Sequence, residues 1–299
     1  MIGPFRPRTP EELLALTPSQ ADELLDELER RIPVRPPIVE IPEEGAEEAV
    51  VFGDSHGDWR SVKEVVRRYR LGNRCLVGLG DYVDRPPDDC GAGSVANGLY
   101  LLSLLAESPG RVTLVQGNHE VVRRIAALPH HLPDEVDELW GPDSTRYDRI
   151  VGLFERGPLA VTTANGAYLA HAGFPRGKLP IPWTAAFVDP NDDRLAEITW
   201  AECAASRIRR GAAPAWGERD LDQFLASTGL RLMLRGHDPD LVGRVVYHGR
   251  CLTLHTSRVY EQYGGVLVAY LPLKTPLDSA ARLVVEHLPT EGRSFDRPD

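Results

Sequence analysis

Gly53-Asp54-Ser55-His56-Gly57-Asp58 is the stretch from which the fold can be read. It follows the apolar run Ala49-Val50-Val51-Phe52, which reads as a short buried strand. After it, Val62, Val65, Val66 and Tyr69 recur at helical spacing over 59–69, with Asp58 placed to cap that helix. A carboxylate and an imidazole two residues apart, just past a strand end, can turn toward one cation. On its own the stretch is also an ordinary strand-to-helix turn, where Gly, Asp and Ser are common.

Four further apolar runs end the same way. Cys75 to Gly80 leads to Asp81, Val112 to Gly117 to Asn118 and His119, Ala167 to Ala170 to His171, and Leu232 to Gly236 to His237. In α/β folds, side chains beyond the carboxyl ends of neighbouring strands converge on one crevice. Asp54, His56, Asp81, Asn118, His171 and His237 are therefore expected at one place. In four of the five runs the candidate follows a glycine (Gly53, Gly80, Gly117, Gly236), which suits a backbone that bends sharply where strand becomes loop.

Working outward, Thr9-Pro10-Glu11-Glu12 and Thr17-Pro18-Ser19-Gln20 each open an N-terminal helix with a capping box. Residues 1–45 are read as a helical extension packing on a core domain at 46–289, with a polar tail at 290–299. The proline-broken segment from Ile32 to Glu48 is read as a connector. Helices are expected over 94–107, 121–128, 147–156, 194–210 and 218–228. The pair His130-His131 sits among prolines and is expected to face solvent. Beyond residue 158 hairpins appear: 159–163 with 167–170 across a two-residue Asn165-Gly166 turn, and 242–247 with 250–256. Runs 265–273 and 281–288 read as further strands. The first half is βαβ-like and the second hairpin-rich, so the fold class is α/β, a central β-sandwich of two mixed sheets flanked by helices.

The chain has 299 residues, 42% hydrophobic and 26% charged, with a net charge of −10. That balance argues against a broad basic face for nucleic acid. No apolar run is long enough to span a bilayer and the N-terminus has no apolar signal core, so a cytoplasmic, membrane-free protein is expected. Cys75, Cys90, Cys203 and Cys251 show no paired spacing. Oligomeric state is left open.

The ordered motifs Gly53-Asp54-Ser55-His56-Gly57, Gly80-Asp81-Tyr82-Val83-Asp84-Arg85, Gly117-Asn118-His119-Glu120, His171-Ala172-Gly173 and Arg235-Gly236-His237 resemble those of the phosphoprotein phosphatase (PPP) family of metallophosphoesterases. The likeness runs from about Pro36 to Leu273. It implies a metallophosphoesterase fold and two divalent metal ions. Asp54, His56 and Asp81 would hold one, and Asp81, Asn118, His171 and His237 the other. Manganese is favoured by the resemblance, while iron or zinc also suits this donor set.

His119 would then be the general acid, Asp84 its orienting partner and Arg85 a phosphate clamp. A second phosphate-binding arginine is expected after Trp200, with Arg219 first and Arg258 second, and Tyr260 lies in the loop that shapes the substrate site. Pro86 replaces the glycine that usually follows the Asp-Arg pair. The function implied is metal-dependent hydrolysis of phosphomonoesters, with activated water attacking phosphorus in line. Glu120 points to a serine/threonine protein phosphatase acting on phosphoproteins or phosphopeptides. The alternative is a symmetrical diadenosine tetraphosphatase or another nucleotide phosphatase, compatible with His171-Ala172-Gly173.

Overall fold

Short apolar runs separated by turn residues become the strands of two stacked sheets. The computed structural model describes residues 5–142 and 144–289, so the tail expected at 290–299 lies outside the described residues. The elements run α1 (Pro10–Leu14), α2 (Pro18–Arg31), β1 (Ile38–Ile41), β2 (Glu48–Phe52), α3 (Trp59–Tyr69), β3 (Arg74–Gly78), α4 (Gly93–Glu107) and β4 (Val112–Leu114). Then come α5 (Leu132–Trp140), α6 (Ser144–Phe154), β5 (Ala160–Thr163), β6 (Ala167–Ala170), α7 (Asp192–Thr199) and α8 (Glu218–Thr228). The chain closes with β7 (Leu232–Arg235), β8 (Val245–Val246), β9 (Cys251–Thr253), α9 (Glu261–Gly264), β10 (Leu267–Pro272) and β11 (Val284–His287).

One sheet has the order β11-β10-β2-β3-β4 and the other β1-β5-β6-β7-β9-β8. Strands β2, β3 and β4 are parallel, while β10 and β11 join antiparallel. The second sheet also mixes both senses, as expected. Alternation along β2 sorts the core: Ala49 and Val51 face the other sheet with Val77, Leu169, Leu234 and Leu252. Val50 and Phe52 face outward with Val62 and Val65 of α3 and Leu99 and Leu102 of α4. Each such burial stabilises by about 1.5–3 kcal/mol. Leu13 of α1 and Leu24, Leu25 and Leu28 of α2 join this same outer cluster. Tyr168 and Met233 pack the opposite outer face against Leu221 and Phe224 of α8.

Four local expectations are corrected. Residues 121–128 form turns rather than a helix; the residue before Pro129 is steered out of the helical region, which stops the chain from propagating. The helix expected over 194–210 ends at Thr199, because Cys203 bridges back to Trp216 and that longer-range pairing overrides local propensity. The 159–170 hairpin exists, but Thr162 pairs with Tyr168, and Thr163 Oγ1 accepts from Ala167 N (2.9 Å), so its loop is longer than two residues. The supposed connector carries β1, which pairs in parallel with β5. A four-residue strand between prolines shows its partner only after folding.

Candidate metal centre

Five strand ends open on one crevice, and the backbone there is bent hard. His56, Asp81, Asp84, Arg85 and His237 all have positive φ (40°, 56°, 67°, 51° and 68°). Such conformations cost roughly 1–3 kcal/mol each and persist only where the surroundings dictate them. The preceding glycines serve mainly another purpose. Only Gly80 of the four has positive φ; a Cβ on Gly117 would fall 2.4 Å from Asp81 Oδ1, and one on Gly236 2.0 Å from Asp54 Oδ1. Close approach of carboxylates, more than bending, requires glycine there.

The six candidate ligands are all buried and do meet. His56, Asp81 and His119 form one group of donor atoms within 4.8 Å, and Asp81, His171 and His237 another, so Asp81 belongs to both. Asp54 adjoins the first group, with Oδ2 3.9 Å from His56 Nε2. His56 Nδ1 donates to Val83 O (3.0 Å) and His171 Nδ1 to Leu79 O (2.9 Å). A carbonyl only accepts, so both rings carry their proton on Nδ1 and turn a bare Nε2 inward. His171 Nε2 then faces Asn118 Oδ1 (2.9 Å) and His237 Nδ1 (3.1 Å), and His237 Nδ1 lies 3.0 Å from Asn118 Oδ1.

Burial pushes His56 down to about 3 and His171 to about 4, so both imidazoles are neutral near pH 7, the form that ligates. Burial pushes the Asp81 carboxyl up, yet His171, His119 and His56 together hold it below the carboxylate range. Burial and then the Asp81 charge push Asp54 upward, and a bound cation opposes both effects.

Within the first group, His119 Nδ1 lies 2.5 Å from Asp84 Oδ2, and its buried Nε2 has no hydrogen-bond partner. Asp84 also accepts from His131 N (2.6 Å), Leu132 N (2.9 Å) and His130 Nδ1 (2.8 Å). The histidine pair expected to face solvent is therefore turned inward: His130 bridges Asp84 to Tyr147 Oη (2.9 Å), and His131 Nδ1 accepts from Arg85 N (3.1 Å). A carboxylate that needs donors outcompetes water for both. Glu120, read above as a hint of substrate class, touches no substrate space. Its carboxylate accepts from Asp81 N, Tyr82 N and Gly117 N, all at 2.8 Å, and braces two ligand loops.

Above the ligands lies a cavity of about 250 Å³, rimmed by Arg85, Ala126, Leu128, Trp200, Arg210 and Tyr260. Arg85 reaches it despite Pro86, and donates through Nη1 to Tyr260 Oη (2.9 Å). The two other arginines chosen from sequence do not reach it. Arg219 is exposed on the first turn of α8. Arg258 grips Asp58 (2.9 Å) and Asp89 (2.8 Å), because the buried Asp58 carboxylate needs a counter-charge. The second cation on the rim is Arg210, missed above. Its Nη2 donates to His237 O (3.0 Å) and Asp238 Oδ1 (3.1 Å). The available signal was an Arg-Arg-Gly step in a loop rich in Ala, Gly and Pro, since binding groups favour loops.

A family model described as calcineurin-like phosphoesterase matches residues 49–241. The chain belongs to that family. Its relatives include a probable serine/threonine-protein phosphatase of Encephalitozoon cuniculi, 28% identical over 254 residues, covering 81% of this chain and 53% of that one. A catalytic subunit of protein phosphatase 2A from Dictyostelium discoideum is 24% identical, covering 83% of each chain. The chain spans 53%, 64% and 51% of the length of three such relatives. Among solved structures, a Saccharomyces cerevisiae protein serine/threonine phosphatase with similarity to human phosphatase PP5 superposes with a TM-score of 0.69 at 22% identity, covering 98% of this chain and 92% of that one. A cold-active protein tyrosine phosphatase does so at 0.53 and 15% identity, covering 82% and 78%. These two likenesses concern the fold.

The calcineurin-like family implies a pair of divalent cations, and the residues fit them. The donors are oxygen and neutral imidazole without thiolate, one carboxylate is shared between two clusters, and the bare His171 Nε2 stands 2.9 Å from Asn118 Oδ1, two acceptors with no proton between them. Among the described residues no helix is long and apolar enough to cross a membrane.

Proposed function

We propose that this chain is a metal-dependent phosphomonoester hydrolase acting on phosphoserine and phosphothreonine in proteins. The observation that carries the reading is the pair of donor clusters sharing Asp81, the first including a His119 paired with Asp84, and two arginines on the rim. Two divalent ions, manganese by preference, held by Asp54, His56 and Asp81 and by Asp81, Asn118, His171 and His237, would supply charge for the phosphoryl oxygens and activation of the attacking water.

The protein's own groups do the rest. Arg85 and Arg210 reach the cavity from opposite loops and offer guanidinium forks to phosphoryl oxygens. Asp84 holds the Nδ1 proton of His119, which leaves Nε2 to carry the proton that a departing serine or threonine alkoxide needs. Four contacts hold Asp84 itself. A cavity of about 250 Å³ has room for a phosphoryl group on a short side chain. Relatives named as serine/threonine phosphatases support the same choice.

The test is a substrate panel on the metal-stripped and manganese-reloaded chain: phosphoserine peptide, p-nitrophenyl phosphate, its bis-ester and diadenosine tetraphosphate. Manganese-dependent phosphate release from the peptide and from p-nitrophenyl phosphate is expected. Cleavage of diadenosine tetraphosphate with the peptide untouched would replace this reading with a nucleotide phosphatase, and no turnover of any ester would end it.

A further inference from the structure

His255 stands next to Asp54, joined to it by a parallel backbone bridge between the ends of β2 and β9. Thr256 N donates to Asp54 O and Leu267 N to His255 O, each at 2.8 Å. A Cβ on Gly53 would fall 1.8 Å from Leu254 O, so these two strand ends press against each other with no space between. The position of the imidazole is thus set on both sides by backbone.

That imidazole is 0% exposed, and neither Nδ1 nor Nε2 has a hydrogen-bond partner. Nε2 is 3.4 Å from Asp54 Oδ2, longer than the roughly 2.7–2.9 Å of a charge-assisted N–H···O bond. The ring packs edge-on against Tyr260, with centroids 5.0 Å apart, and Tyr260 in turn lies 5.5 Å from the ring of His56. A neutral imidazole carries one N–H and one lone pair, and burying polar atoms unpaired is costly. A phenylalanine would fill the same space without that cost. The choice of histidine makes sense if something from outside the chain takes its lone pair.

We propose that His255 is a seventh protein ligand of the dinuclear centre, taking the cation held by Asp54, His56 and Asp81. The inference rests on the metal-pair reading above. It completes an otherwise unequal arrangement: without His255 one site has three protein donors, while the other has Asp81, Asn118, His171 and His237. With it, each cation has four, two carboxylates and two imidazoles facing the first. Tyr260, packed on both of those rings, holds them from the rim side.

The experiment is calorimetric titration of the metal-stripped full chain with Mn²⁺, wild type against His255→Phe, with Tm measured before and after loading. Wild type is expected to bind two equivalents. In His255→Phe one equivalent should be lost or weakened roughly 10–100-fold or more. The stripped variant should melt no lower than stripped wild type, while its rise in Tm on loading should shrink. If His255→Phe binds both equivalents with wild-type affinity, His255 is a plain core residue and the inference fails alone. If wild type itself takes up no Mn²⁺, the metal-pair reading fails first. Should His255→Phe not fold, the same titration of His255→Gln applies, with the same two outcomes.

Discussion

At the floor of the site, Asp54, Asp81, Asn118, His171 and His237 each stand one to four residues past a strand whose register is set by backbone hydrogen bonds. At the rim, Arg85, Arg210 and Tyr260 hang from loops that gain their shape from distant partners: Arg85 from Tyr260, Arg210 from His237 and Asp238. The floor is a property of the sheets, and a strand end can be located from local pattern. The rim is a property of which loops touch, and nothing local encodes that. The same contrast separates Arg210 from Arg258: both are arginines of the second half, and only tertiary contact decides which lines the cavity and which neutralises Asp58.

The sharpest way to break the contrast is at Asp81, the floor group common to both donor clusters. Asp81→Asn is expected to lower kcat/KM on p-nitrophenyl phosphate by at least about 10⁴-fold, since several kcal/mol of transition-state stabilisation depend on the charge there. Turnover near wild type would show that the clusters are not the reactive centre. His119→Ala comes next. A loss of roughly 10³-fold is expected on a phosphoserine peptide and a clearly smaller one on p-nitrophenyl phosphate, whose leaving group needs little protonation. Equal losses on both substrates would remove His119 from the role of acid.

The rim should respond more weakly and mainly in binding. Arg210→Ala is expected to raise KM for phosphopeptide about tenfold or somewhat more, the scale of one charge-assisted contact. Arg219→Ala should leave it within about twofold. Steady-state kinetics on the two variants decide which arginine belongs to the site, and the reverse pattern would restore the sequence-based choice.

The smallest effect is a pH effect on the support behind the rim. Glu135 on α5 accepts from Ser94 Oγ (2.5 Å), and Ser94 Oγ in turn accepts from Asp84 N (2.9 Å). Burial pushes Glu135 up from 4.5 to about 7. The folded chain holds this proton more tightly than the unfolded chain, so its stabilising contribution is full below about pH 4.5 and is lost as pH rises through about 7. Glu135→Gln should flatten the slope of Tm against pH across that window. An unchanged slope would mean that Glu135 is not the titrating group.

Much of the molecule was legible before folding. The two mixed sheets followed from the switch between βαβ alternation and hairpins, and the meeting of Asp54, His56, Asp81, Asn118, His171 and His237 in one buried crevice from five apolar runs that each end in a ligand-type residue. Where reading went wrong, the cause was a long-range partner. β1 is four residues between prolines whose mate is β5. His130 and His131 looked like solvent-facing loop residues until Asp84 was placed against them. His255 gave no signal at all, since a histidine after a strand looks the same whether its nitrogens are satisfied or not.

By itself the sequence determined the strands other than β1, their order of appearance and the chemistry at their ends, because side-chain period and strand termination are local effects that act within a few residues. Only the tertiary structure decided which arginines reach the cavity, which histidines serve Asp84 and that His255 lies against Asp54. Those outcomes depend on charges and unpaired donors from segments far apart in the chain competing for one another once water is excluded, and a competition of that kind has no counterpart before the segments meet.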